Sequence, residues 1–454
     1  MDSVIRYINQ NKDRYIEELK ELLRIPSVSA KSTHRNDCLQ AAEYLQKQFQ
    51  GMGLEVSLLP TKGNPVVLAR YQKHADKPTV LIYGHYDVQP EEPVELWLSP
   101  PFEPTIRDGN IHARGATDDK GQVFTHIKAI EAHLKTNGEL PVNIIFLIEG
   151  EEEIHSLNLD AFLHEHKHSL KADVALISDS SQYGRGKPAI TYGLRGICGE
   201  EIRVEGANQD LHSGSFGGAV PNPIQVLCQI IARMKDEKGK ILIPGFYDDV
   251  LPLEEWERKN FASLDWDDEQ FKKDLGLEEI FGEEGYTTIE RKWARPTFEV
   301  NGIFGGYSGE GSKTVLPAWA GAKFTMRLVP NQNPEKIDDL FKKYVRKITP
   351  SYVRLQFLPA GGAGPVLVPR NAQYMKEAEE ALERGFSARP CYIREGGSIP
   401  IVLTLKELLG IDTILMGFGL NDDNPHAPNE KFSLEDFEKG ILTSAWFLHL
   451  CSQK

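Results

Sequence analysis

Residues 142–153 read VNIIFLIEGEEE. Six of the first seven positions are apolar, and the run is short and rich in Ile, which predicts a buried strand. Gly150 would let the backbone turn as the strand ends. Four carboxylates, Glu149, Glu151, Glu152 and Glu153, then stand where the chain leaves the sheet. In open α/β sheets, ligands bind outside the carboxyl ends of the strands. A charge run taken alone is more often a solvated loop, so the neighbouring segments must decide between the two readings.

The same pattern recurs along the chain. Residues 79–83 (TVLIY) lead into Gly84, His85, Tyr86 and Asp87. Residues 173–177 (DVALI) lead into Ser178 and Asp179, and residues 413–416 lead toward His426. Further strands are expected at 56–59 and 66–71. Between them lie helical patterns: 3–24, with Ile5, Ile8, Tyr15, Leu19 and Leu22 on one face and Pro26 as the stop; 38–52, closed by Gly53; a segment carrying Val123, Ile127, Ile130 and Leu134; and 159–164. Strand–helix alternation of this kind predicts an α/β layer fold, with a mixed and mostly parallel sheet flanked by helices. From about Ile197 the texture changes to an α+β pattern. Alternating strands are expected at 199–206, 323–328 and 353–358, and helices at 224–234 and after Asn333-Pro334, with an acidic, Trp-containing stretch at 245–295. After Pro365 the first texture resumes, with helices at 372–384 and 434–449 and one that Ser398 would cap near Pro400. The expected organisation is one domain from residues 1–196 and 366–454, interrupted by a second at 197–365.

The length of 454 residues also favours two domains. Lys and Arg total 52 against 66 Asp and Glu, a net charge of −14, which argues against a nucleic-acid partner. Five scattered cysteines form no CxxC pair, so neither a disulfide framework nor a zinc–thiolate site is expected. The first residues, MDSVIRYINQNKDRYIEELK, lack the pattern of a secretory signal, and no run of 18 apolar residues occurs. The chain reads as cytoplasmic, with no membrane partner.

If the strands share one sheet, His85, Asp87, Glu152, Glu153, Asp179 and His426 crowd one edge, and Asp118 in the loop RGATDDKG can join them. Carboxylates this close cannot all ionise without a cation. Two imidazoles with several carboxylates suit zinc or manganese, with cobalt also possible. A shared carboxylate could bridge two ions about 3.5–4 Å apart, and one left uncoordinated could serve as a general base.

Taken together, GHYDVQP (84–90), RGATDDKG (114–121), EGEEE (149–153), ISD (177–179), TYGLRG (191–196), DLHSG (210–214), RLVP (327–330), REGGSIP (394–400) and HAPNEK (426–431) resemble the M20 metallopeptidases. The likeness is nearest to the dipeptidase branch that includes cytosolic nonspecific dipeptidase and carnosinase, and it spans nearly the whole chain. The resemblance implies a catalytic domain interrupted by a lid and dimerisation domain, a homodimer, and two divalent ions per subunit. It implies that His85, Asp118 and Asp179 hold one ion, and that Asp118, Glu153 and His426 hold the other. Asp87 would orient His85, and Glu152 would take a proton from a bridging water and deliver it to the leaving amine. His212 would reach the partner subunit's site and bind the substrate carbonyl oxygen. Arg327, with the Gly396-Gly397-Ser398 turn, would bind the substrate carboxylate. The Asp118–Asp119 peptide would be cis.

The expected substrate is a dipeptide or short peptide. The alternative is an N-acyl-amino-acid deacylase of the same superfamily. A non-catalytic binding protein on this scaffold is a third reading, disfavoured because every expected ligand and the base are filled. One departure stands out: the family often reads EE-x-G-S, and here His155 replaces the glycine, a substitution expected to be harmless. Glu151 falls on the variable position and would point elsewhere, and Glu149 has no role derivable from sequence. His155, His164, His166 and His168 read as solvated residues. Trp256, Trp266 and Trp293 read as packing within the insert.

Overall fold

The computed structural model describes residues 1–397 and 399–454. It divides into two compact units: Met1–Tyr192, Val368–Ile393 and Thr404–Lys454 form one, and Gly193–Leu367 with Arg394–Leu403 form the other. Their larger sheets use, in chain order, strands β1 (Glu55–Leu59), β2 (Val66–Tyr71), β3 (Thr79–His85), β4 (Asn143–Glu149), β5 (Val174–Ile177), β6 (Gly196–Glu205), β7 (Thr297–Gly305), β8 (Trp319–Leu328), β9 (Arg354–Ala363) and β10 (Thr413–Leu415).

In the first unit the order is β1-β2-β4-β3-β5-β10. The β4–β3, β3–β5 and β5–β10 pairs are parallel, while β1–β2 and β2–β4 are antiparallel. The sheet is therefore mixed and mainly parallel. Every residue of β4 is buried, as expected of a strand covered on both faces. Phe49 of the helix Arg35–Gly51 packs on Phe146 of β4, ring centres 4.8 Å apart. The helix Lys120–Asn137 is buried continuously from Lys120 to His133. That burial on all sides hides its amphipathic signature.

Two local readings change. The helical pattern of 3–24 is two helices, Asp2–Gln10 and Lys12–Leu23. Asn11 separates them, and its Nδ2 donates to Tyr7 O at 2.8 Å. A short amide side chain that bonds backbone competes with the helical ladder. The stretch 245–295 contains three short helices, Glu255–Ser263, Asp268–Leu275 and Thr288–Trp293. Trp293 packs on Phe261 at 5.4 Å and Trp266 on Phe271 at 5.2 Å.

The second unit holds an antiparallel sheet in the order β7-β8-β6-β9. The helices Pro223–Ala232 and Pro334–Ile348 supply Leu227, Ile230, Phe341 and Val345 to its core, against Ile202, Phe298 and Phe324 of the strands. β7 escaped the sequence reading. It is an edge strand with Val300 and Ile303 exposed, so its apolar residues do not alternate toward a core. Ser398, expected as a helix cap and a substrate contact, lies outside the described residues.

Candidate metal centre

Parallel strands end at the same edge. His85 closes β3 directly opposite Glu149, the last residue of β4. β5 ends at Ile177, two residues before Asp179. Gly84 permits a close approach here. A Cβ at that position would lie 2.0 Å from Val123 Cγ2 and 2.6 Å from Asp119 Oδ2. The start of the helix Lys120–Asn137 thus seats against the end of β3 and carries Asp118 in with it. The Asp118–Asp119 peptide is cis, as the resemblance implied.

Two groups of side chains result. His85, Asp118 and Asp179 form one; Asp118, Glu153 and His426 form the other. Within each, one potential ligand atom per residue lies within 4.8 Å of the others. Asp118 belongs to both. Its Oδ1 lies 3.1 Å from His85 Nε2, and its Oδ2 lies 2.8 Å from His426 Nε2. His85 Nε2 is 3.9 Å from Asp179 Oδ2, and His426 Nε2 is 3.3 Å from Glu153 Oε2. His85 Nε2 is fully buried with no aligned hydrogen-bond partner. An orphaned imidazole nitrogen facing carboxylates fits a cation, so the donor set suits two divalent ions.

The electrostatics agree with that fit. Burial would raise Asp118, but the hydrogen bond with His426 and the adjacent His85 imidazole outweigh it and hold its carboxyl well below the usual range. Burial, with Asp119 and Asp118 beside it, drives Asp179 well above the usual range. Hydrogen bonds to Asp118 and Glu153 push His426 up to about 10. Burial pushes Glu152 up to about 7, with Glu153, Asp118 and Asp87 adding to the rise and His85 opposing it. Neighbouring carboxylates with divergent proton affinities are characteristic of catalytic sites.

The segment 149–156 separates its acids by what each one touches. Glu149 is 2% exposed; its Oε1 accepts from Tyr83 Oη at 2.6 Å and Ser156 Oγ at 2.8 Å. Glu151 turns away, accepting from Asn64 N at 3.2 Å and Asn158 Nδ2 at 2.7 Å. Glu152 and Glu153 donate their backbone N–H groups to the two oxygens of Asp87, at 3.2 and 3.1 Å. Asp87 also faces His85 Nδ1, through its carbonyl oxygen at 3.1 Å and its carboxylate at 3.5 Å. It therefore braces the histidine and the acid pair together. Gly150 is needed for room rather than for a turn, because a Cβ there would lie 2.2 Å from Tyr86 Cζ. The left-handed backbone falls later, at His155 (φ 72°) and Ser156 (φ 48°). Such backbone suits glycine, the residue the resemblance led one to expect at position 155. His155 is exposed and belongs to neither candidate metal group. Nor do His164, His166 and His168.

The remaining singled-out residues belong to the second unit. His212 is exposed and caps the short helix Ser213–Phe216, its Nδ1 accepting from Gly214 N at 3.0 Å. In a neutral ring this leaves Nε2–H as a donor. Arg327 on β8 pairs with Ile197 of β6. Arg195 lies just before β6, and its Nε donates to Gly396 O at 3.4 Å.

Sequence reasoning passed over two residues of the first unit that grip the candidate ligands. Gln89 donates to Glu153 from its backbone N at 3.1 Å and from Nε2 at 2.7 Å. Its signal was its place in GHYDVQP, four residues past His85. Glu430 is buried beneath the loop that ends in Asp118, and its signal was an acid that HAPNEK keeps among otherwise solvated residues.

The chain matches the family model described as peptidase family M20/M25/M40 over residues 81–449. It is 35% identical to the Cys-Gly metallodipeptidase dug1 of Schizosaccharomyces pombe, across 99% of this chain and 98% of that protein. It is 31% identical to the Beta-Ala-His dipeptidase of Homo sapiens, across 99% of this chain and 92% of that one. Among solved structures, an M20 family metallo-carboxypeptidase from Sulfolobus solfataricus superposes with a TM-score of 0.86 at 36% identity, covering 97% of this chain and 99% of that one. With its two overlapping ligand groups and these matches, the chain belongs to peptidase family M20/M25/M40.

Proposed function

We propose that this metallopeptidase hydrolyses the peptide bond of dipeptides or short peptides, with Glu152 as general base and His85, Asp118, Asp179, Glu153 and His426 as ligands of two divalent ions. The observation that carries this reading is the sharing of Asp118 between two candidate ligand groups, with Glu152 left outside both. Zinc, manganese or cobalt each suits such ligands. When bound, the ions would supply Lewis acidity, lowering the pKa of water and polarising the scissile carbonyl.

The protein's own groups do the rest. A carboxylate left outside both ligand groups can accept a proton and return it. Glu152 therefore takes the proton of the attacking water and hands it to the departing amine. Asp87 holds the Glu152 and Glu153 amides, so that base and ligand keep a fixed spacing. His212, with Nδ1 engaged by Gly214, offers Nε2–H to the carbonyl oxygen as negative charge develops. Following the resemblance, it does so from one protomer of a homodimer toward the other's site, with 197–365 as the lid and dimerisation domain. Arg327 offers a guanidinium fork to the substrate carboxylate, helped by the Gly396 and Gly397 amides and by Ser398. The setting is cytoplasmic, in keeping with five free cysteines.

Support for dipeptides comes from relatives of nearly equal length named for Cys-Gly and Beta-Ala-His. The metallo-carboxypeptidase at 36% identity favours a second reading, removal of a C-terminal residue from longer peptides. The protein is assayed on Cys-Gly, β-Ala-His, longer peptides and N-acetyl amino acids, before and after chelation and with each metal restored. Dipeptides turned over fastest, with loss on chelation, support the proposal. A preference for N-acetyl amino acids would replace it with deacylation.

A further inference from the structure

The loops carrying Asp118 and His426 come from distant parts of the chain but share a base. Strands Asn110–His112 and Lys431–Ser433 pair antiparallel, with Lys431 opposite His112. Above that ladder, Ala113 N–H donates to Glu430 O at 3.1 Å. The Glu430 side chain then turns into the other loop and is 0% exposed. Its Oε1 accepts from the backbone N–H groups of Thr117 at 2.9 Å and Asp118 at 3.1 Å. Its Oε2 accepts from Gly115 N at 2.9 Å and Arg114 Nη1 at 2.7 Å. Four donors fill the roughly four lone-pair sites of a carboxylate. Arg114 is itself buried, lies over the Trp97 ring at 5.4 Å, and donates to Pro90 O at 3.2 Å.

A buried ion pair is weak grounds for stability, because desolvation consumes most of its gain. This one does something more specific. It holds the peptide N–H of the residue shared by both ligand groups, and it sits four residues after the histidine of one of them. Asp423 grips the same loop by a different atom, accepting from Thr117 Oγ1 at 3.1 Å and Leu420 N at 2.7 Å. We propose that Glu430 is a positioning residue for the metal pair: by clamping the Gly115, Thr117 and Asp118 amides and the Arg114 guanidinium from the loop that bears His426, it sets where Asp118 stands relative to His426. The proposal rests on the reading of Asp118 as the shared ligand.

Glu430→Gln tests it. The amide would turn an NH2 group against N–H donors whichever way it is flipped, so the loop must shift. Loss of an outer partner of a metal ligand costs about 10–100-fold in affinity. Both proteins are stripped of metal and titrated with Co(II), reading binding heat and the visible d–d spectrum, and the melting of the metal-free forms is measured separately. The expected result is two ions bound by the wild type, at least one of them held 10–100-fold more weakly by the variant, and a changed spectrum. A variant that binds two Co(II) ions with wild-type affinity and spectrum overturns the proposal, even if it melts earlier. A wild type that binds fewer than two ions overturns the dinuclear reading, and this proposal with it. If Glu430→Gln does not accumulate folded, Glu430→Asp, one methylene short of the same amides, is read by the same criteria.

Discussion

The carboxyl edge of the first unit and the residues around His212 in the second were both singled out from motifs, yet their physical settings differ. At the edge, His85 and Asp87 are completely buried, and Asp87 accepts two backbone N–H groups. Charges buried this deeply persist only when hydrogen bonds or a cation compensate them. His212 is exposed, and among the described residues its side chain makes one hydrogen bond, a local cap with Gly214. The edge is organised by its own chain before any substrate arrives. His212 stands between a short strand and a short helix, and the role proposed for it would begin only when a substrate approaches.

The sharpest way to break this contrast is Glu152→Gln. General base catalysis contributes about 10²–10⁴-fold, so kcat should fall by that amount while both ions remain bound, as metal analysis after dialysis would report. Wild-type turnover would remove Glu152 from the mechanism. Next comes His212→Ala. One oxyanion donor is worth about 10²–10³-fold in kcat, and no change is expected in metal content or melting, because the side chain is exposed. An effect on KM alone would make His212 a binding group rather than a donor to the transition state.

The smallest effect concerns Glu149. Burial raises its carboxyl from 4.5 to about 8, with Asp87 adding and Tyr83, Ser156 and His85 opposing. Between those values the folded protein keeps a proton that the unfolded chain releases. The contribution of Glu149 to stability therefore falls as pH rises through this window. Glu149→Gln carries no such proton and should flatten the pH dependence of stability in the metal-free protein. Denaturant unfolding at both ends of the window checks this. An unchanged slope would mean that Glu149 is ionised in the fold.

The acidic run 149–153 shows how far motifs reach. Strand β4 was legible because a strand covered on both faces needs apolar residues at nearly every position. The register E-G-x-E-E separated Glu152 and Glu153 from Glu151, and the structure brings Glu153 to Asp118 and His426. Glu149 stayed illegible because its partners, Tyr83 and Ser156, come from different segments. The break at Asn11 and the edge strand β7 were missed for a related reason: each depends on a local bond or an exposed face that carries no periodic signal.

What the sequence determined by itself was the buried strands that lead to the site, the residue types at their ends, and hence a cation-hungry edge. Short-range pattern and chemistry suffice for that. What only the tertiary structure decided was which backbone amides hold those side chains. Gly150 leaves space for the Tyr86 ring, Asp87 spans from His85 to the acid pair, and Glu430 reaches across 312 positions to the Asp118 amide. Buried polar groups must find partners wherever the packed chain places them, and only the packed chain says where that is.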